Sequence, residues 1–305
     1  MRNVLVTGAD GFIGSHLVEK ISRAGDRVFA ICLPGSEDIS RIIDLENVMI
    51  VESDLEELSD KSITDEELDV IYHLAWDSPS GVSRADIENQ TKNVSYSVNL
   101  MSVAEKYKCK RIVVTGTVSE ELCPELETQN GWQPIAYYLF TKRYIRNIMK
   151  QWSAKNNVPL SWITFCHPIG KYNKTEQLIT SSILKLRNNV PIKLGDGKSA
   201  FNVIAVSDLV NALYLAGVKE LKTDIYFVGG AETLTVKDYM EKLRSIINPD
   251  GILLWGEASS IGLDLKHEWL CDIAFITETG YKPLLTFEQA VIETANWLAS
   301  EEVNE

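Results

Sequence analysis

Residues 3–21 read NVLVTGADGFIGSHLVEKI, and this stretch constrains the chain more than any other. A β-branched apolar run meets Gly8, Gly11 and Gly14, and apolar positions then recur at Ile13, Leu17, Val18 and Ile21. The pattern predicts a strand, a tight turn and an amphipathic helix. Gly8 permits the turn, Gly11 lets the backbone approach a pyrophosphate, and Gly14 lets the helix pack closely on a sheet. The helix start adds N–H groups and the positive end of its dipole. Phe12 and Ile13 complete a loop suited to a dinucleotide, although its GxxGxxG spacing departs from the commonest fingerprint.

Further strand-like runs at 27–32, 48–51, 70–74, 111–115 and 160–165 alternate with helical stretches, as βαβ units on a parallel sheet do. The expected fold is α/β, a Rossmann-type doubly wound parallel sheet with a smaller C-terminal substrate lobe. After Phe165 the pattern changes to a loop at 167–175, a helix at 176–188 and a short strand with a Gly-Asp-Gly turn at 191–197. A helix at 206–218 and a late strand at 224–228 follow. We expect a dinucleotide-binding domain over 1–166, with segments near 200–228 returning to it. The lobe then comprises 167–199 and 229–305.

Hydrophobic residues make up 45% and charged residues 24% of the 305, ordinary values for a folded chain. No apolar run approaches the roughly 20 residues a membrane helix needs, and the start lacks a signal-peptide layout. The net charge of −13 argues against nucleic acid or an anionic membrane as partner. Five cysteines (32, 109, 123, 166 and 271) form no CxxC, and the four histidines show no ligand spacing. We expect a reduced, cytoplasmic protein without a metal site.

The second strand ends in Cys32-Leu33-Pro34-Gly35-Ser36. An acid there would hold the ribose hydroxyls of NAD, and an arginine the 2′-phosphate of NADP. Neither is present. The missing carboxylate removes a repulsion and Ser36 offers a donor, which tips NAD(P) binding toward NADP.

In YYLFTKRYIRNIMKQW, residues 137–152, Tyr138 and Lys142 are four apart and share a helix face with Ile145 and Met149. A lysine on an apolar stripe needs a purpose, because burying an unpaired charge is costly. Its ammonium is expected to lower the tyrosine pKa toward a range useful for proton transfer.

TGADGFIG, HLAW at 73–76 and YLFTK at 138–142 together resemble the extended short-chain dehydrogenase/reductase superfamily, in its nucleotide-sugar epimerase/dehydratase branch. The resemblance covers nearly the whole chain. It implies that Asp54 meets the adenine amino group and that Leu55, Leu74, Ala75 and Trp76 line the cofactor. Asn93 matches a supporting helix asparagine counted with the cofactor set, as are Thr115, His167 and Ile169. Thr117 falls on the catalytic hydroxyl. Tyr138 then exchanges a proton with the substrate, Lys142 holds the nicotinamide ribose, and Thr117 bonds the same substrate oxygen. Trp76, Ser119, His167 and Phe201 complete the implied substrate contacts. A homodimer through helices near 95–107 and 138–152 is also implied.

The departures from the family narrow the chemistry. Sugar 4,6-dehydratases carry an acidic pair directly after the hydroxyl, where this chain has Val118 and Ser119, with Glu120 and Glu121 later. Fucose-synthase-like 3,5-epimerases carry a cysteine at the position of Ser119. His167 replaces an asparagine, and Phe201 stands where an arginine usually grips the diphosphate. Reduction of a nucleotide-linked 4-keto sugar is the first expectation. The alternatives are 4-epimerisation with tightly bound NAD, carbonyl reduction of a non-nucleotide small molecule, and a non-catalytic cofactor sensor.

Overall fold

The computed structural model describes residues 1–173, 177–258 and 264–304. The chain divides into two compact units. The first is Met1–Thr164 with Val210–Tyr226 and Thr277–Thr279, and the second takes the remainder.

The first unit runs β1 (Asn3–Thr7), α1 (Phe12–Arg23), β2 (Arg27–Cys32), β3 (Val48–Glu52), β4 (Val70–His73), α2 (Ile87–Lys106), β5 (Ile112–Thr115), α3 (Cys123–Thr128), α4 (Ala136–Asn156) and β6 (Leu160–Thr164). All residues of β4, β5 and β6 are buried, so these strands read as continuous apolar runs covered on both faces. Neighbouring strands pair in parallel, with Thr7 opposite Ile31 on one side and His73 on the other. Leu5, Ile71, Ile112 and Val114 form one core with Leu100 of α2 and Ile145 and Met149 of α4.

After β6 come β7 (His167–Ile169), α5 (Leu178–Arg187), β8 (Ile192–Leu194), β9 (Ala200–Ala205), α6 (Val206–Val218), β10 (Ile225–Phe227), β11 (Thr233–Thr235), α7 (Val236–Ile247), β12 (Leu253–Trp255), α8 (Ala274–Thr279) and α9 (Phe287–Asn304). The large sheet has the order β10-β6-β5-β4-β1-β2-β3, so the direction of winding reverses between β1 and β4. In open α/β sheets a ligand crevice forms at the carboxyl ends of the strands flanking such a reversal.

Two expectations need correction. The segment 167–175 opens as a strand, because β7 pairs in parallel with β9. The return to the first unit is also narrower than 200–228. Strand β9 pairs with β7 and β11 in a separate three-stranded sheet, so the return begins at Val210. Lys174, Thr175 and Glu176, which fall at the junction of the expected loop and helix, lie outside the described residues. The second unit has its own core, in which Ile169, Ile183, Leu186, Tyr239, Met240 and Val291 meet. Among the described residues, no helix is long and apolar enough to cross a membrane.

The packing of α1 onto β1 depends on Gly14, where a Cβ would lie 1.9 Å from the carbonyl oxygen of Gly8. The opposing atom is backbone, so relief requires moving the helix. We expect Gly14→Ala to destabilise the protein by about 2–3 kcal/mol in urea unfolding. A change within error would refute this packing.

Candidate active site

The junction of β1 and β4 builds the phosphate loop. Gly8 adopts φ +64°, and a Cβ there would sit 3.0 Å from the backbone nitrogen of Ala75. Thr7 Oγ1 accepts the Ala75 N–H at 3.3 Å and lies 2.8 Å from Nδ1 of His73. Burial pushes the His73 ring down to about 3, so the ring is neutral and shares one proton with the threonine hydroxyl. Gly11 caps α1 in an extended conformation, makes no side-chain cap bond to the first-turn N–H groups, and no acid lies in that turn. These N–H groups and the dipole end are the donor set an anionic pyrophosphate needs.

Beside this loop lies a cleft of about 440 Å³. Gly8, Asp54, Leu55, Ala75 and Trp76, all expected among the cofactor residues, line it. Asp10, Ile31, Cys32, Leu33, Ser53, Asp77, Ser78 and Tyr96 complete the wall. Tyr96 lies one helical turn beyond Asn93 on α2, an i,i+3 spacing that marks it as facing the same side. The glycine cradle, the uncapped helix start and the cleft volume fit a dinucleotide.

Other expected cofactor residues are not among those that line the cleft. Phe12 and Ile13 begin α1 and Gly14 is buried beneath them. Leu74 donates its N–H to the Thr7 carbonyl. Ser36 starts the short helical turn Glu37–Arg41 and is not among the cleft-lining residues. Asn93 is 2% exposed and its amide is engaged with the backbone, accepting Asp77 N–H at 2.7 Å and donating to the Asp77 carbonyl at 3.2 Å. With Gln90, which holds the Trp76 indole at 3.0 Å and the Ser78 carbonyl at 3.2 Å, it fixes the segment after β4.

Helix α4 brings Tyr138 and Lys142 against that segment. Lys142 is 5% exposed, donates to the Thr115 carbonyl at 2.9 Å and lies 3.7 Å from the centroid of the Trp76 ring. Burial pulls the Lys142 ammonium down to about 7, while the Glu120 carboxylate favours its charge and Arg84 opposes it. Tyr138 meets Trp76 edge-on at 5.9 Å. The expected lowering of Tyr138 by Lys142 is not what the geometry gives. Burial dominates and pushes the phenol up to about 12, and Arg84 rather than Lys142 opposes it. The ammonium gives one of its three donors to the Thr115 carbonyl and rests on the Trp76 ring.

Thr117 caps the helical turn Val118–Leu122, its Oγ1 accepting the Ser119 N–H at 3.3 Å. Glu120 closes the capping box, accepting the Thr117 N–H at 2.9 Å and the Trp162 indole at 3.0 Å. Its other oxygen pairs with the Arg146 guanidinium at 3.0 Å, and Glu121 reaches the same group at 3.5 Å. Burial raises the Glu120 pKa against the pull of Arg146. In the second unit, Phe201 packs at 5.1 Å from His167 and 5.9 Å from Tyr239. Ile169 is fully buried in that unit's core.

These burials can be tested through stability. Lys142 titrates near 7 when folded and near 10.5 as a solvated lysine, so the unfolded chain binds its proton first as pH falls. The penalty therefore grows as pH drops from about 10.5 and is complete below about 7. Lys142→Met should raise urea stability by about 1–3 kcal/mol at pH 7, with less gain at pH 9, while abolishing turnover. Arg146→Leu strands a buried carboxylate and should cost about 3–5 kcal/mol. Without Arg146 the Glu120 pKa rises further, so that cost is largest at high pH and shrinks as acid neutralises the group. Equal costs at pH 8 and pH 5 would count against the pairing.

The profile of the NAD dependent epimerase/dehydratase family matches residues 4–229. A curated dTDP-glucose 4,6-dehydratase of Haemophilus influenzae is 24% identical, with 97% of this chain and 98% of that protein covered. A dTDP-4-dehydro-6-deoxyglucose reductase of Escherichia coli is 23% identical over 94% of this chain and 95% of its own length. Among solved structures, a UDP-glucose 4-epimerase of Thermotoga maritima, crystallised with UDP-glucose, superposes with a TM-score of 0.81 at 19% identity. It covers 98% of this chain and 99% of its own and shares the fold.

Proposed function

The chain belongs to the NAD-dependent epimerase/dehydratase family, and on that premise we propose that it reduces a nucleotide-linked 4-keto sugar. The observation that carries this reading is the commitment of both carboxylates that follow Thr117. Glu120 is fully buried and holds the Thr117 N–H, the Trp162 indole and Arg146, and Glu121 also pairs with Arg146. Elimination of water needs a carboxylate in reach of the sugar, and these two are engaged in structure. Ser119 at the position of the epimerase cysteine removes the acid–base group for epimerisation at the ring carbons beside a ketone.

A bound nicotinamide supplies hydride exchange with the substrate carbon. The chain's residues do the rest. Gly8, Gly11 and the start of α1 hold the pyrophosphate, Asp54 and Leu55 border the adenosine, and Lys142 holds the ribose. Tyr138 gives its phenolic proton to the carbonyl oxygen as that oxygen gains charge, and the Thr117 hydroxyl steadies the same atom. NADP is slightly preferred over NAD, because Cys32 and Leu33 place no carboxylate of their own at the end of β2 and Ser36 offers a donor beyond it.

The same three residues serve 4-epimerisation, and Phe201 in place of an arginine favours carbonyl reduction of a non-nucleotide substrate as the other reading. A homodimer through α2 and α4 is supported by Ile87, Val98 and Tyr144, which those helices expose. Cysteine usage supports the cytoplasm as its place.

Cofactor released from the purified protein by denaturation separates the first two readings. A protein that arrives empty, binds NADPH more tightly than NADH and reduces a nucleotide-linked 4-keto sugar fits the reductase. NAD retained near one per chain fits an epimerase and rejects the reductase. Tyr138→Phe should lower kcat/KM at least about 10³-fold with the fold intact by circular dichroism. Undiminished turnover would remove Tyr138 from the chemistry.

A further inference from the structure

The Arg84 guanidinium stands apart from every other in the chain. Each of the others places a terminal nitrogen on a carboxylate or a backbone carbonyl. Arg84 engages only its Nε, which donates to the Pro79 carbonyl at 2.5 Å. Its two terminal nitrogens have no hydrogen bond or ion pair among the described residues. The acids beside it in the chain are already engaged. Asp86 caps α2 through the N–H groups of Glu88 and Asn89 at 2.8 and 3.2 Å, and Asp77 accepts the Ser78 hydroxyl at 2.9 Å.

The side chain is nevertheless held in place. It is half-buried, and its guanidinium carbon lies 4.6 Å from the centroid of the Tyr138 ring, itself only 7% exposed. The turn that carries it, Val82–Ala85, is tied on one side by Gln90 on the Ser78 carbonyl and on the other by the Asp86 cap. Trp76, Asp77 and Ser78 of the same connection line the cofactor cleft, and Arg84 does not. A fixed positive charge with unused N–H donors therefore stands beside the proton-transfer tyrosine and outside the wall of the dinucleotide cleft.

We propose that Arg84 is a substrate-binding residue that grips a carboxylate next to the carbonyl being reduced, which makes the substrate a nucleotide-linked keto sugar acid. The inference rests on the reading of the chain as a reductase of a nucleotide-linked 4-keto sugar, and it names the class of that sugar. Tyr138 meets the oxygen at C4, and Arg84 packs on the same phenol, so its free edge serves groups near that oxygen. In a pyranose the diphosphate leaves from C1, across the ring. The exocyclic carbon hangs from C5, beside the reacting carbon, and as a carboxylate it presents two coplanar oxygens that match the guanidinium edge. A neutral group there would leave the guanidinium unanswered. In a chain of net charge −13 an anion at this point needs a local cation. Lys142 already donates to the Thr115 carbonyl, and Arg143 and Arg146 are bound to Glu120. During reduction the carbonyl carbon takes a hydride from the nicotinamide, which is left oxidised, and the oxygen takes the Tyr138 proton. The carboxylate keeps its charge, and no covalent bond to Arg84 forms or breaks.

Titration calorimetry of the full chain with a reduced nicotinamide bound, so that alcohols cannot turn over, compares UDP-glucuronate with UDP-glucose. The two probes differ only in the carboxylate and hydroxymethyl groups on C5. The wild type should bind UDP-glucuronate at least about 10-fold more tightly. Arg84→Gln should bring the ratio close to one, and Arg84→Lys should keep part of the preference, each variant being checked for native circular dichroism. A purely structural role for Arg84 would weaken both probes together and leave the ratio as it is. Equal binding by the wild type, or a preference that survives in Arg84→Gln, overturns the inference and leaves the nucleotide-sugar reading standing. Binding of neither probe rejects that reading and the inference with it.

Discussion

The close approach of two parallel strand ends organises the first unit. With Thr7 in register with His73, the chain leaving β4 passes so near the turn leaving β1 that Gly8 has no room for a side chain. The threonine hydroxyl fastens this contact by accepting from Ala75 and bonding His73. Once the two ends are joined, Ala75 and Trp76 become one wall of the cleft and Gly8 another. The orientation of Trp76 follows, and with it the surface on which Lys142 rests. The glycine turn and α4 thus share one tryptophan.

The site also concentrates charge where water is scarce. Lys142, Glu120 and Arg146 are each less than 10% exposed. A buried ion pair seldom adds stability, since desolvation offsets most of its attraction, but losing one member is costly. Glu120 and Arg146 fix the backbone at Thr117 through a capping box and an indole, and Glu120 also favours the proton on Lys142. The arrangement gives up stability for a defined position of three polar groups, a common outcome where function requires strained surroundings.

Much of this was legible in the sequence because it depends on local periodicity. The strands of the large sheet fall within one or two residues of their expected places, and the glycine turn, Tyr138, Lys142 and the Asp54-Leu55 pair follow from spacing or from resemblance. What escaped depends on pairings between distant segments. Nothing near residue 167 announces a strand, since β7 exists only because β9 lies beside it. Arg84 carries no motif, and its place over Tyr138 comes from the turn that precedes α2. Spacing alone puts the Lys142 ammonium near Tyr138, but burial and the Thr115 carbonyl decide where its charge is used. By position in the chain Glu120 resembles a displaced catalytic acid, and only its buried partners reveal a structural one.

The burial of the turn after Thr117 also bears on how readily this chemistry can change in evolution. Val118 is 2% exposed, so an acid there would have to be carried into the core. Gly116 is closed as well, because any side chain would collide with Trp162 and Glu120. Ser119 is half-buried and keeps its backbone N–H engaged with Thr117. An acid directly after Thr117 therefore has a narrow path into this chain. It runs through position 119, while the flanking positions are held by the same packing that sets Thr117 in place.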